Sequence, residues 1–473
     1  MSSPYPGGPE RTRDELLPKL RTKPWLRKPA SGIVLANVKI VDVASGTIHP
    51  TATGVTVNEG FIDELCYWSP SEIPARARTS MLPIVDLGGL YICPGLIDCH
   101  VHVTAVPGVK TIGELFETPD ELVHLRTTYV LKEMLSRGFT TVRDTGGASK
   151  ALSTAIAEGL IEGPRLFQCG KALSQTGGHG DFSKTARTSG CCGGEIMSLA
   201  RVADGVDSVL RATREELKGG ADFIKIMAGG GVASATDAIE TVQFLSEEIS
   251  IITRTCEQMG KIHTTAHAYT VESINHAIDN GVKGIEHGNL MDKATAERMA
   301  REGIFLTPTL SCYGIMVRAP FEVLHMFFTG DTISLPFQDF LPDESKHKNE
   351  EVMQFGLRAL ELAEREGVCV CYGTDLLVSM HALQTEEFTV RASVLPSPAV
   401  LRHATINAAK LLRREGMLGI IAPGAVADLI VLDANPLENV KVLDRPEKHL
   451  MAVIQDGRAV RSRLPSLKLT PTD

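Results

Sequence analysis

Short apolar runs open and close the chain, and a longer alternating pattern lies between them. From Ile33 to Val85 the hydrophobic positions fall in the stretches Ile33–Val38, Ile40–Val43, Gly54–Val57 and Ile62–Cys66, with Gly, Asn, Asp and Pro between them. That spacing predicts strands joined by turns. After Leu90 each apolar run is followed by a polar or glycine-rich loop and then by an amphipathic stretch. The predicted strands are Tyr91–Asp98, Thr140–Asp144, Leu166–Cys169, Phe223–Met227, Ile262–Ala266, Gly284–Glu286, Phe305–Pro308 and Val368–Tyr372. Helical periodicity occupies Glu121–Ser136, Asp204–Lys218, Ser246–Met259, Val271–Asn280 and Lys348–Glu366. Eight such units in about 320 residues match the count and length of a (β/α)8 barrel. A doubly wound open sheet is the alternative, but the phosphate-loop glycines that usually open one are absent. Past Lys410 the strand pattern returns at Ala427–Leu432 and Ala452–Gln455. The expected fold is α/β: a (β/α)8 TIM-type barrel over residues 91–410 and a small β-sandwich domain built from both chain ends, 31–90 and 411–473. A proline-rich extension, 1–30, precedes them.

Composition narrows the function classes. Of the 473 residues, 43% are hydrophobic and 22% charged, an ordinary balance for a folded chain. The net charge of −9 disfavours a polyanion binder, so no nucleic-acid partner is expected. No apolar run approaches the roughly 18 residues needed to span a bilayer, so no membrane partner is expected either. Met1–Pro29 lacks the apolar core of a secretory signal. Ten cysteines in a chain of this length do not make a disulfide scaffold, and reduced thiols in a cytoplasmic protein are expected.

Chemistry in such a barrel sits at the C-terminal ends of the strands. His100 and His102 follow the first strand, Lys225 lies within the apolar run Phe223–Met227, and His267, His287 and Asp375 end later strands. In extended chain His100 and His102 point to one side and can grip one ion together. Imidazole and carboxylate suit Zn²⁺ and similar divalent ions. Lys225 is costly to bury as an ammonium. Desolvation leaves a nucleophilic amine that can form a Schiff base or add CO₂ to become a carbamate; snorkelling to the strand end is the third alternative. Asp375 fits a general base beside a metal, or an ordinary strand-end carboxylate. Arg143-Asp144 reads as a structural ion pair, and Cys369 and Cys371 as small buried hydrophobes.

Together the runs Pro94–His102, Ile224–Met227, Ala266–Tyr269, Ile285–Gly288, Gly373–Asp375 and Gly419–Asp433 resemble the amidohydrolase superfamily over roughly residues 33–460. The resemblance implies a binuclear site with two divalent metal ions, Zn²⁺ expected. His100 and His102 bind the first with Asp375, His267 and His287 bind the second, and N-carboxylated Lys225 bridges them. The segments Ala172–Asp181, Ala203–Gly205 and Met227–Ser234 resemble one branch, the Xaa-Pro dipeptidase-like metallopeptidases and the fungal ochratoxin-hydrolysing amidase. That branch implies hydrolysis of an amide whose leaving group is an amino acid, by attack of a metal-bound hydroxide. It places His179 in the substrate pocket and Tyr269 at the scissile carbonyl. The expected partner is a small amide or dipeptide, and a homo-oligomer is expected from the family. Cyclic amides, lactones or a decarboxylated substrate form the alternative on the same metals; a scaffold without catalysis is the third. His403, Cys191-Cys192 and the apolar stretch Phe321–Asp343, with Phe327 and Phe328, depart from the family pattern.

Overall fold

Strand alternation decides which side chains reach the interior of this chain and which face its helices. The computed structural model describes residues 22–109, 112–181, 199–234, 237–317, 341 and 343–469. Cys191, Cys192, Phe327, Phe328 and residues 1–21 of the extension lie outside the described residues.

The first strands are β1 (Ile33–Asp42), β2 (Thr47–Ile48), β3 (Gly54–Asn58), β4 (Phe61–Cys66) and β5 (Ile84–Pro94). The barrel strands follow: β6 (Leu96–Val101), β7 (Phe139–Asp144), β8 (Arg165–Gln168), β9 (Ala172–Ser174), β10 (Ala200–Val202), β11 (Ile224–Met227), β12 (Thr264–Thr270), β13 (Gly284–Leu290), β14 (Phe305–Thr307) and β15 (Cys369–Val370). The last are β16 (Leu429–Leu432), β17 (Leu450–Gln455) and β18 (Arg458–Ser462). Both chain ends share one sheet, ordered β18-β17-β16-β5-β1-β3-β4, with β2 paired to β1. This is the small β-sandwich domain, and its core holds Leu35, Ile40, Val55, Ile92, Leu429 and Ile454.

The remaining strands pair in parallel as a TIM-type barrel, β6-β7-β8 and β10-β9-β11-β12-β13-β14-β15. The third stave is broken: β8 pairs with β7, and β9 pairs with β11 through Leu173 and Ile226. Gly170, at φ +69°, turns the chain between the halves. The other seam joins β15 to β6. The Cys99 amide donates to the Tyr372 carbonyl at 2.8 Å, and the Asp375 amide donates to the His100 carbonyl at 2.8 Å.

The structure differs from the pattern in the first barrel strand. Tyr91–Pro94 pairs with β16 in the small sheet, and only Leu96 onward enters the barrel. The apolar run continues across the break, so hydrophobicity alone does not mark it. Gly95 does: a Cβ there would lie 2.2 Å from Thr140 Oγ1. The helix expected from Lys348 starts earlier, at Asp343. His403 is structural. Its Nε2–H donates to Glu364 at 3.0 Å, its Nδ1 accepts from Arg391 at 3.1 Å, and burial lowers its pKa to about 4. No helix among the described residues is long and apolar enough to cross a membrane.

The small domain is tied to the N-terminal ends of the barrel strands by charge. Arg165, at the start of β8, donates to Asp428 at 2.6 Å and also to Asp456. Asp428 is buried, so loss of its partner leaves an uncompensated carboxylate. Arg165→Ala is expected to cost about 3 kcal/mol. Denaturant unfolding followed by circular dichroism measures it, and an unchanged midpoint contradicts the tie.

Candidate metal centre

In β6, Ile97 and Cys99 pack outward against Ala408 and Leu411, which turns His100 inward. In β11, Ile224 and Ile226 join an outer apolar cluster with Ile249 and Ile252, which turns Lys225 inward. In β12, Ala266 and Ala268 take the outer face, leaving Thr265, His267 and Tyr269 inside. β13 breaks the alternation. Glu286 and His287 both face the interior, and His287 takes φ +72°, in the left-handed region. Asp375, past the end of β15, is also left-handed at φ +52°. Non-glycine residues held there persist only where their surroundings over-determine them.

The structure brings all eight expected residues to one cavity: His100, His102, His179, Lys225, His267, Tyr269, His287 and Asp375. Ligand atoms of His100, His287 and Asp375 lie within 4.8 Å of one another. Asp375 Oδ1 is 3.4 Å from His100 Nε2 and 3.2 Å from His102 Nε2. The His267 ring centroid lies 4.6 Å from that of His287 and 4.2 Å from that of His179.

Each inner imidazole has one nitrogen occupied by the protein. His100 Nδ1 meets Glu286 at 2.8 Å, and His102 Nδ1 donates to the Gly146 carbonyl at 2.9 Å. His267 Nε2 donates to the Gly230 carbonyl at 3.0 Å, and His287 Nδ1 meets Thr309 Oγ1 at 2.8 Å. Of the opposite nitrogens, those of His100 and His102 lie near Asp375, and His102 Nε2 is also 3.4 Å from Thr145 Oγ1. Fixing one N–H in this way selects the tautomer that can bind a metal. Burial, with neighbouring imidazoles and Lys225 adding to it, holds His267 well below the ordinary histidine range; burial and His100 do the same for His287. Both are therefore neutral, the state a cation needs. Burial opposes the charge on Asp375, but His100 and His102 outweigh it and keep the carboxyl well below its usual range. Burial likewise lowers the Lys225 pKa, with Glu286 and Asp375 pulling the other way. The Lys225 ammonium makes no hydrogen bond among the described residues. Four imidazoles, two of them held neutral, a carboxylate and a buried lysine fit divalent cations.

Several supporting residues escape a reading of the sequence. Arg143 pairs with Glu286, not with Asp144 as expected. Neighbours on a strand point opposite ways, so Arg143 reaches across the barrel. Asp144 instead accepts from the amides of Val103, Gly146 and Ala148 at 2.7, 3.0 and 3.1 Å. Glu286 had a visible signal, a carboxylate beside His287 in an apolar run. Thr309 and Tyr313 had none, because only folding brings them to His287.

Comparison with known proteins agrees with this fold. A model of the amidohydrolase family matches residues 91–460. Ochratoxinase from Aspergillus niger is 30% identical over 376 residues, which cover 75% of this chain and 73% of that protein. A prolidase crystallised with N-methylphosphonate-L-proline is 39% identical with a TM-score of 0.81, covering 92% of this chain and 100% of that one. A Xaa-Pro dipeptidase with methionine bound in its active site is 28% identical with a TM-score of 0.76, covering 91% and 99%.

Thr309→Val removes the oxygen facing His287 Nδ1 at nearly constant volume. Zn²⁺ affinity is expected to fall about tenfold, with the melting temperature of metal-free protein little changed. Equilibrium dialysis checks this; unchanged affinity removes Thr309 from the centre.

Proposed function

The chain belongs to the amidohydrolase family as a metal-dependent hydrolase of amide or peptide bonds, and on that premise we propose that it cleaves a dipeptide such as Xaa-Pro, or an N-acyl amino acid, with two divalent cations. His100, His102 and Asp375 would hold one cation and His267 and His287 the other, with N-carboxylated Lys225 between them. Zn²⁺ is the expected ion. The barrel body, 91–410, supplies all of these groups. The observation that carries the proposal is the set of four imidazoles, each tied to the protein at one nitrogen, gathered with Asp375 around a buried lysine that makes no hydrogen bond among the described residues. A neutral Lys225 amine can add CO₂, releasing one proton, to give a carbamate whose two oxygens suit two cations. Bound there, the cations would polarise a carbonyl and acidify water.

Protein groups would handle the rest. Tyr313 donates to the Tyr269 oxygen at 3.0 Å, so the Tyr269 proton is free to point at a developing oxyanion. Burial raises the pKa of Tyr269 well above the phenol range, which keeps that proton in place at neutral pH. Asp375, ionised, can take a proton and hand it to a leaving amine. His179 would contact the amino-acid end of the substrate. Leu199, Val232, Met316 and Leu377 also line the cavity and favour an uncharged side chain there. The prolidase and ochratoxinase relatives support an amide whose leaving group is an amino acid.

Removal of metal by a chelator is expected to abolish hydrolysis of a panel of Xaa-Pro dipeptides and N-acyl amino acids, and Zn²⁺ to restore it. Full activity of metal-free protein rejects the proposal, and turnover confined to lactones or cyclic amides rejects its substrate. In Lys225→Ala, bound metal and activity are expected to fall together. Two metals per chain in that variant, measured by plasma emission, reject the bridge.

A further inference from the structure

His179 is held by hydrogen bonds that the reactions above leave unexplained. Its Nδ1 lies 2.8 Å from Ser234 Oγ, and Ser234 Oγ donates to Asp237 Oδ1. The Ser234 proton is thus spent on a carboxylate, and its oxygen can only accept from the ring. His179 Nδ1 therefore carries a proton, and Nε2, which makes no hydrogen bond among the described residues, is left for the cavity that His179 lines.

The segment carrying Ser234 and Asp237 is fixed independently of the ring. Lys348 donates to the carbonyls of Gly231, Ser234 and Asp237 at 3.0, 2.7 and 2.8 Å. Asp237 Oδ2 accepts from the Gly231 amide at 3.1 Å and from Gln243 at 2.9 Å. Gln243 Oε1 accepts in turn from the His179 amide at 2.9 Å. Backbone and ring of His179 are thus tied to the same buried carboxylate. Space is matched as well: a Cβ at Gly231 would lie 1.9 Å from His179 Cε1, so any larger residue there displaces the ring.

We propose that Ser234 and Asp237 are positioning residues, which orient His179 so that Nε2 meets the substrate, and that Lys348 fixes the segment on which they sit. The proposal rests on the substrate contact given to His179 above.

A double-mutant cycle on the Xaa-Pro dipeptide turned over fastest in the panel tests it. His179→Ala and Ser234→Ala are each expected to lower kcat/KM, Ser234→Ala by up to about a hundredfold. Both should keep full metal content, and the double variant should match His179→Ala alone. Ser234→Thr, which retains the hydroxyl, should recover most of the loss. Losses that multiply in the double variant, or no loss in Ser234→Ala, overturn the positioning role while His179 keeps its contact. Unchanged activity in His179→Ala with full metal overturns that contact and the proposal with it. A crystal structure of Ser234→Ala supplies a readout apart from turnover. The ring is expected to rotate or occupy more than one rotamer, and an unmoved ring contradicts the proposal.

Discussion

Glu286 is the group on which the barrel interior depends. It is buried, and its two oxygens face different partners: one Arg143 and Thr265, the other His100. Burial alone would push its carboxyl toward neutrality, yet Arg143 and His100 hold it well below the usual carboxylate range. A fixed negative charge at that depth does two things. It makes a buried guanidinium tolerable next to Lys225, and it orients the first histidine of the centre. Arg143 also lies over the Phe223 ring at 4.4 Å, so its position is set by packing as well as by charge.

Strand geometry then explains why the groups converge. A two-residue period can present His100 with His102, or His267 with Tyr269, but it cannot place neighbours on one face. Both Glu286 and His287 are needed inside, and the left-handed backbone at His287 is what permits it. Its neighbours hold the ring there, because Thr309 and Tyr313 both reach His287 Nδ1. Asp375 meets the same constraint at the seam. Its amide closes β15 onto β6 at the His100 carbonyl, so the bond that shuts the barrel also sets its carboxylate beside His100 and His102.

Much of this was legible in the residues. The strand–helix alternation of the barrel follows from periodicity, the histidines were picked out by their places at strand ends and by the family resemblance, and Lys225 stood out because a charge in an apolar run demands an explanation. Features that depend on contact order across the fold were not legible. The break at Gly95 hides inside a continuous apolar run, and the division of one stave into β8 and β9 turns on a single glycine. Arg143 looked like the partner of its neighbour because adjacency along the chain is visible and reach across a barrel is not. Thr309, Tyr313 and Lys348 carry no pattern that separates them from ordinary core or helix residues, and Ser234 shows only as the end of the run Met227–Ser234, with nothing to tie it to His179.

Two tasks meet in Gly230–Ser234 and Asp237. The Gly230 carbonyl accepts from His267 Nε2, while the next residues form the seat of His179. The imidazoles of His179 and His267 stack, so movement of one ring would be felt by the other. Their supports share Lys348 but differ in the side chains that face each ring. Gly230 is fixed through its amide, which donates to the Thr241 carbonyl at 3.1 Å, and the adjoining Gly231 carbonyl is fixed by Lys348. Neither bond involves the Ser234 hydroxyl. The backbone that orients His267 can therefore stay in place while the side chains that orient His179 vary. Such an arrangement lets the surroundings of His179 be altered by single substitutions without loosening the strands that gather the histidines.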